Sequence, residues 1–197
     1  MPKGIPLTEE EQQRRRKEIF DASVHLFLEK GFNQTSMQEI AQAAGVGKST
    51  LYDYFSSKEE IMVSFFEEEI RRITECAQEI MSKNLSVTEK LGQIMQMHLE
   101  NLMDNKNYYL KLSLEAERLS NESQQQIQVA RHEYQDMLCG LIEEGIQQGD
   151  FRPVNPLLAT RSILGLLSIV VFTSRPTGTP REMLEEAQAI FLQGIQA

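Results

Sequence analysis

The sequence is poor in the residues from which disulfide frameworks, metal centres and many active sites are built. It contains no tryptophan, two cysteines and three histidines among 197 residues. Cys76 and Cys139 lie far apart without CxxC spacing, so each is interpreted as a reduced thiol. No P-loop, GxSxG, HExxH or GxGxxG motif occurs. We therefore expect no enzymatic activity, no catalytic residue, no metal site and no cofactor.

The sequence also lacks a hydrophobic stretch long enough to cross a bilayer. Its longest apolar run, Ile163–Phe172, has ten residues, whereas a membrane-spanning helix needs about 20. The N-terminus is polar and shows no apolar segment of a secretory signal. We expect a cytoplasmic protein with no membrane partner, a location that also keeps thiols reduced.

Basic residues are outnumbered, which at first argues against a nucleic-acid partner. The formal net charge is −9 at pH 7, but residues 1–60 carry eight basic and ten acidic side chains, so residues 61–197 hold −7 of it. A DNA phosphate responds mainly to charges within about one Debye length, ~10 Å. The position of each charge relative to the DNA therefore matters more than the net charge of the chain. DNA binding by the N-terminal part is compatible with the negative net charge. Such a binder should show a shallow salt dependence.

What the chain does contain is helical periodicity with clear start signals. Proline is sparse before the last quarter, and S-x-x-E capping boxes occur at Ser36, Ser57 and Ser86. These features predict an all-α fold of about nine helices. After residue 57 the predicted helices span about 58–81, 86–104, 108–119, 122–148, 156–174 and 181–195.

The stretch at 35–58, TSMQEIAQAAGVGKSTLYDYFSSK, predicts two short helices joined by a tight turn. Gly45 suits the turn because glycine adopts left-handed backbone conformations at low steric cost. Leu51 and Phe55 face inward at i and i+4, so the outward side chains are Lys48, Ser49, Tyr52 and Asp53. This is a helix-turn-helix pattern, whose second helix enters the DNA major groove.

The full string resembles the DNA-binding signature of the TetR family of bacterial transcriptional repressors. The matching residues are Gly31-Phe32, Thr35, Ile40-Ala41, Ala44-Gly45-Val46, Thr50-Leu51-Tyr52, Tyr54-Phe55 and Lys58-Glu59. Their spacing is intact, and the resemblance covers about residues 10–65. Two residues depart from the pattern: Gly47 stands where the family often has Ser or Thr, and Ser49 stands where it often has Gly.

The resemblance implies an N-terminal helix-turn-helix DNA-binding domain, residues 1–57, and a C-terminal helical effector-binding and dimerisation domain, residues 58–197. It implies a repressor that binds a palindromic operator in double-stranded DNA and is released by a small-molecule effector. The positions implied to contact DNA bases or adjacent backbone are Gln38, Lys48, Ser49 and Tyr52. Those implied to contact phosphates are Ser36, Thr50, Tyr54 and Lys58, and Gly47 precedes the reading helix.

The two apolar helices predicted at 156–174 and 181–195 need a surface to cover them. The family implies a homodimer in which the last two helices of each subunit form a four-helix interface. Burial of both helices inside one subunit is the alternative.

An effector pocket is implied among the central helices. Flexible apolar side chains there are interleaved with polar ones, a composition that suits a binding cavity. The candidate wall residues are Met97, His98, Tyr109, Glu115, Met137 and Arg161. Glu115 favours a cationic ligand and Arg161 an anionic one, so the charge of the effector stays open. An ordinary protein core has the same methionine and aromatic periodicity.

The residues alone leave other functions open. A helical cavity also suits an enzyme or a small-molecule carrier with a vestigial N-terminal part. The apolar C-terminal face also suits a protein-interaction module that captures a partner helix.

Overall fold

A computed structural model describes residues 7–196, in which the regular secondary structure is α-helical. The helices are α1 Glu9–Lys30, α2 Met37–Ala43, α3 Lys48–Tyr54, α4 Lys58–Met81, α5 Val87–Asp104, α6 Lys106–Ala116, α7 Asn121–Gln148, α8 Pro156–Phe172 and α9 Pro180–Ile195. The prediction of an all-α fold with about nine helices is confirmed. None of the described helices has both the length and the apolar character that a bilayer crossing requires.

Side-chain caps fix most of the helix starts. At each of four starts, a Ser or Thr hydroxyl accepts from the backbone N–H three residues on, and a Glu carboxylate accepts in return. These capping boxes pair Thr8 with Glu11, Ser36 with Glu39, Ser86 with Glu89 and Thr179 with Glu182. Gly31 ends α1 with a φ of 91°, a backbone conformation that glycine adopts at low steric cost.

The connection between α5 and α6 is shorter than predicted. Asn105 alone separates the two helices, although a polar break over three residues was expected. The Asn105 side-chain amide donates to the Asn101 carbonyl oxygen at 3.1 Å, and the Asn105 carbonyl oxygen accepts from the Tyr109 N–H at 3.0 Å. Because this one residue satisfies backbone groups of both helices, α6 begins at Lys106 instead of residue 108.

The chain divides by packing into two compact units. Unit 1 is Met1–Glu67 with Leu110–Ile127, and unit 2 is Glu68–Tyr109 with Gln128–Ala197. Helices α4, α6 and α7 therefore each contribute residues to both units. The boundary after residue 57, between the predicted DNA-binding and effector-binding domains, stays a prediction. By packing, unit 1 also includes the start of α4 and the segment around the α6–α7 connection.

The core of unit 1 holds the short helices in place. Leu51 of α3 and Phe55 just beyond it are fully buried, as predicted, and so are Ile19 of α1 and Ile40 of α2. Phe27 and Phe32 pack edge to face with ring centroids 5.2 Å apart. Such a core stabilises α2 and α3, which at seven residues each are too short to be stable alone.

The core of unit 2 is a single apolar cluster formed by residues of α4, α5, α7, α8 and α9. One close approach in it depends on glycine. The Phe151 ring packs on Gly145 of α7, where a Cβ atom would lie 2.3 Å from the ring. The Gly145 carbonyl oxygen also accepts from the backbone N–H groups of Asp150 and Phe151. Gly145 thus allows the chain to turn back after α7 with its aromatic side chain buried.

We expect Gly145→Ala to destabilise the protein by about 1–3 kcal/mol, because the Phe151 ring must move out of its site. Gly140→Ala on the same helix is the matched control, since its added Cβ meets no atom within 4 Å. The control should gain up to about 1 kcal/mol from the better helix propensity of alanine. Urea unfolding measures both free energies. Equal stability of the two variants would contradict the assigned contact.

Candidate functional site

Helices α2 and α3 of unit 1 form a compact helix-turn-helix. Ala44, Gly45, Val46 and Gly47 make up the turn, and Gly45 has a φ of 65°. The Val46 N–H donates to the Ala41 carbonyl oxygen at 2.9 Å, which ties the turn back to α2. Gly47 takes the N-cap position of α3 without a side-chain hydrogen bond.

One face of α3 points to solvent, and it is the face predicted to meet DNA. Lys48, Ser49 and Asp53 are exposed, and Tyr52 keeps 46% of its surface accessible. The Lys48 ammonium lies 6.0 Å from the centroid of the Tyr52 ring. Gln38 is exposed on α2. This face therefore presents an amine, hydroxyls, a phenol and an amide, which are groups that hydrogen-bond to base edges and phosphates.

The residues predicted to contact phosphates lie in different environments. Ser36 is exposed, but its hydroxyl takes part in the α2 cap, since it accepts from the Glu39 N–H and donates to the Glu39 carboxylate. Thr50 and Tyr54 are half-buried on α3. The Lys30 ammonium, together with the Ser36 groups, lowers the pKa of Glu39 to about 2, so the cap stays ionised at neutral pH.

Lys58, also predicted to contact phosphate, has an internal partner. Its ammonium donates to the Phe32 carbonyl oxygen at 2.8 Å and lies 4.8 Å from the centroid of the Phe32 ring. Partial burial lowers the pKa of Lys58, against the Glu115 and Glu39 carboxylates, which raise it. In this structure Lys58 therefore supports the connection between α1 and α2. A phosphate contact would compete with that bond.

In unit 2, some of the residues predicted to bind effector belong to a partly buried polar group. His98 Nδ1 and Tyr134 Oη lie 2.9 Å apart, and the Tyr109 hydroxyl donates to Asn101 Oδ1 at 3.0 Å. Met97 and Met137 are half-buried and pack against the core of the same unit. Sequence reasoning missed Tyr134 and Asn101. Tyr134 was detectable, because it lies in helical phase with Leu138 and Leu141 on the buried face of α7.

Burial makes this polar group electrically neutral. It lowers the pKa of His98 to about 4, so the imidazole is uncharged at neutral pH. Burial, with a contribution from Glu69, raises the pKa of Tyr109 to about 12, against the opposing effect of Arg72 and Arg131. Burial also raises the pKa of Tyr134. The group can therefore offer a ligand hydrogen bonds but no full charge.

Two predicted effector residues are not brought together with the others. Glu115 belongs to unit 1, where its carboxylate accepts from the Asn33 side-chain amide at 3.1 Å and pairs with Arg118 at 3.6 Å. Arg161 is exposed on α8. Both were assigned by helical phase alone, which gives a face of a helix but does not identify what packs against it.

Unit 2 also contains a cavity that the sequence did not indicate. It has a volume of about 330 Å³ and is lined by Met103, Lys106, Val170, Val171, Thr173, Pro176, Gly178, Pro180 and Met183. None of the six predicted effector residues lines it. Its walls are mainly apolar, and Lys106 supplies a cation. Among residues 7–196, no three His, Cys, Asp or Glu side chains are grouped in a way that could hold a metal ion.

Comparison with known proteins places both parts of the chain in one family. A family model described as bacterial regulatory proteins, tetR family, matches residues 19–64. A second, described as tetracyclin repressor-like, C-terminal domain, matches residues 84–195. The fatty acid metabolism regulator protein of Bacillus subtilis (strain 168) is 32% identical over 165 residues, which cover 82% of this chain and 85% of that protein.

Two solved structures share the fold at similar levels. The fatty acid degradation regulator FadR from Bacillus halodurans has a TM-score of 0.78 and 29% identity, covering 91% of this chain and 95% of that chain. FadR from Bacillus subtilis in complex with stearoyl-CoA also has a TM-score of 0.78 and 29% identity, covering 91% and 99%. The resemblance inferred from the helix-turn-helix motif is confirmed.

The depressed pKa of His98 predicts acid sensitivity in a defined range. The unfolded chain binds a proton at this histidine near pH 6.5, whereas the folded chain does so only near pH 4. Stability from this group is therefore complete above pH 6.5 and falls as the pH drops towards 4, by about 2 kcal/mol at pH 5.

The measurement is urea unfolding at pH 7, 6 and 5. His98→Asn should flatten the pH dependence over this range, whatever its stability at pH 7. The control, His132→Asn, alters an exposed histidine of α7 and should keep the wild-type slope. A His98→Asn variant with an unchanged slope would rule out His98 as the source.

Proposed function

Because this chain belongs to the TetR family, and is thus a DNA-binding transcriptional repressor released from its operator by a small-molecule effector, we propose which residues perform each task. The exposed face of α3 reads the operator, and unit 2 receives the effector. The observation that carries the first assignment is the α3 surface itself. Leu51 of α3 and Phe55 just beyond it are fully buried, and the polar side chains of the opposite face are exposed to solvent.

Lys48, Ser49 and Tyr52 are proposed to contact bases or the adjacent backbone, with Gln38 reaching from α2. Lysine and amide side chains suit guanine and adenine edges respectively. Ser36, Thr50 and Tyr54 are proposed to contact phosphates, and Gly47 lets the backbone at the start of α3 approach the DNA closely. Lys58 was expected in the second group. Its bond to Phe32 supports a positioning role instead, in which it fixes the α1–α2 connection.

The protein is proposed to act as a homodimer through α8 and α9. Leu158 and Ile169 of α8 are each 65% exposed, and Ile190 of α9 is 62% exposed. Gly165 lies on the exposed side of α8, and the same two helices border a groove of about 300 Å³. An apolar stripe with a small central residue suits close packing against a second copy. Two copies would place two reading helices on the half-sites of a palindrome.

The effector is proposed to be an acyl-coenzyme A thioester. This class is supported by two similar proteins, a fatty acid metabolism regulator and a FadR that binds stearoyl-CoA. In unit 2 the mainly apolar cavity suits an acyl chain, and Lys106 suits an anionic group. The neutral group around Met97, His98, Tyr109 and Met137 suits an uncharged polar atom.

The proposal extends to cellular context. A repressor that acts on chromosomal DNA works in the cytoplasm, and the similar proteins are regulators rather than enzymes. Family membership also sets aside the carrier and interaction-module alternatives, because the helix-turn-helix is complete and its reading face is exposed.

Selection of bound fragments from genomic DNA should yield a palindromic operator. Lys48→Ala or Tyr52→Ala should weaken binding to it by about 1–3 kcal/mol. The matched control is Lys90→Ala in α5, a lysine of unit 2 far along the sequence from α3. Fluorescence anisotropy with labelled operator measures each affinity. Wild-type affinity in both α3 variants would refute the assignment of the reading face.

In the same assay, dodecanoyl-CoA and stearoyl-CoA should release the wild-type protein from its operator, whereas coenzyme A alone should not. Release by neither thioester would refute the effector class and leave the DNA-binding assignment intact.

Gly165→Leu should weaken the homodimer by about 1–3 kcal/mol through overpacking at the interface. Within one chain Gly165 is exposed, and a Cβ added there meets no atom within 4 Å. Gln78→Leu, at an exposed position of α4, controls for added surface leucine. Analytical ultracentrifugation at nanomolar to micromolar concentrations measures dissociation. A Gly165→Leu dimer as tight as wild type would place the interface elsewhere.

A further inference from the structure

The segment Leu110–Ile127, here called the corner, comprises the end of α6, the connection and the start of α7. It follows the residues that match the helix-turn-helix family by more than 40 positions, yet it packs as part of unit 1. Its apolar side chains are buried there, namely Leu112, Ala116, Leu119 and Ile127. The DNA-binding unit therefore contains an element that its sequence motif does not include.

On one side, the corner holds the connection between α1 and α2. The Lys111 ammonium donates to the Leu28 carbonyl oxygen at 2.9 Å. The Asn33 side-chain amide donates to the Glu115 carboxylate at 3.1 Å. Leu28 lies in the last turn of α1, and Asn33 lies in the connection between α1 and α2. These two bonds therefore fix the chain on both sides of the end of α1.

On the other side, the corner holds the first turn of α4 through Glu59. A single oxygen of its carboxylate accepts from the Ser120 N–H at 3.2 Å, the Ser120 hydroxyl at 2.7 Å and the Ser123 hydroxyl at 2.8 Å. Ser123 is 8% exposed, so at least one of these bonds is shielded from water. Three donors directed at one ionised oxygen form a specific, charge-assisted contact.

We propose that Glu59, through Ser120 and Ser123, is a positioning residue for operator recognition. Four residues separate Glu59 from Tyr54, the last residue of α3. Glu59 fixes the start of α4 to the corner. The corner also fixes the connection between α1 and α2, through the bond from Asn33 to Glu115. The reading face of α3 lies between these two points along the chain, so its placement depends on both.

The corner is also the part of unit 1 that belongs to helices α6 and α7, which continue into unit 2. A shift of either helix along its axis would alter the Glu59 and Lys111 contacts directly. Helices α6 and α7 thus join unit 2 to the corner through the chain itself, and the corner contacts the segments that flank the helix-turn-helix through hydrogen bonds. This inference rests on the proposed reading face, and its test separates the two.

The decisive variant is Glu59→Gln in the full-length chain, because electrostatics and positioning predict opposite results. Removal of a negative charge from a DNA-binding unit should by itself tighten DNA binding. Glutamine keeps one acceptor oxygen but removes the charge that strengthens the three bonds to Ser120 and Ser123. The weaker contact should instead reduce operator binding, by about three- to tenfold. Glu122→Gln, an exposed acid at the start of α7, is the charge-matched control and should bind as tightly as wild type or more tightly.

Three further measurements distinguish positioning from general destabilisation. Ser120→Ala should also weaken operator binding, whereas Ser120→Thr, which retains a hydroxyl, should restore it. Glu59→Gln combined with Ser120→Ala should lose little more than either variant alone, since both act on one contact. The salt dependence of operator binding should keep the wild-type slope, because no phosphate contact is removed.

The possible results distinguish failure of the positioning role from failure of the proposed reading face. Operator affinity in Glu59→Gln that equals or exceeds that of wild type would overturn the positioning role, while the Lys48 and Tyr52 variants would still report on the reading face. Failure of Ser120→Thr to restore binding would also overturn it. A wild-type chain that binds no duplex would overturn the reading face and this inference together.

Discussion

The burial of Leu51 and Phe55 is the constraint on which the DNA-reading surface depends. Helix α3 has seven residues, too few to be stable in water without tertiary packing. Its N-cap is a glycine that supplies no side-chain hydrogen bond, so the helix gains little from its own sequence. The two fully buried apolar side chains anchor it, and the polar face is oriented as a consequence. Any change that loosens this core would affect the reading residues without touching them.

The same dependence explains why so many polar contacts gather around the short helices. The α1–α2 connection is held by Lys58 on Phe32 and by Lys111 on Leu28, both through backbone carbonyl oxygens. A carbonyl contact fixes the path of the chain, whereas a contact between two exposed charged side chains contributes little to stability. Lys58, which the family resemblance implies as a phosphate contact, therefore has a structural role in this chain. Under the proposed assignment, DNA recognition then depends on a few residues of α3.

The sequence predicted most of the fold because its signals are local. A capping box spans four residues, such as Ser36–Glu39 and Ser86–Glu89, so helix starts could be predicted without knowledge of the packing. The outward face of α3 followed from i, i+4 spacing in the same way. The contacts of Glu115 with Asn33 and of Lys58 with Phe32 were not predicted, because the partners lie 82 and 26 positions away in the sequence. The cavity near Lys106 combines residues of α5, α6, α8 and α9, and no single helix pattern encodes it.

The exposed face of α8 shows how composition and packing together define a function. A helix of this apolar character was predicted to be buried on both sides, and within one chain only one side is. The uncovered side carries Leu158, Gly165 and Ile169 at helical spacing, with the exposed Arg161 and Ser162 between them. The exposed apolar residues therefore share one face of the helix. Exposed apolar stripes of this kind destabilise a soluble monomer and favour association. Because a twofold pair would also double the number of reading helices, the homodimer proposed through this surface would have the symmetry that a palindromic operator requires.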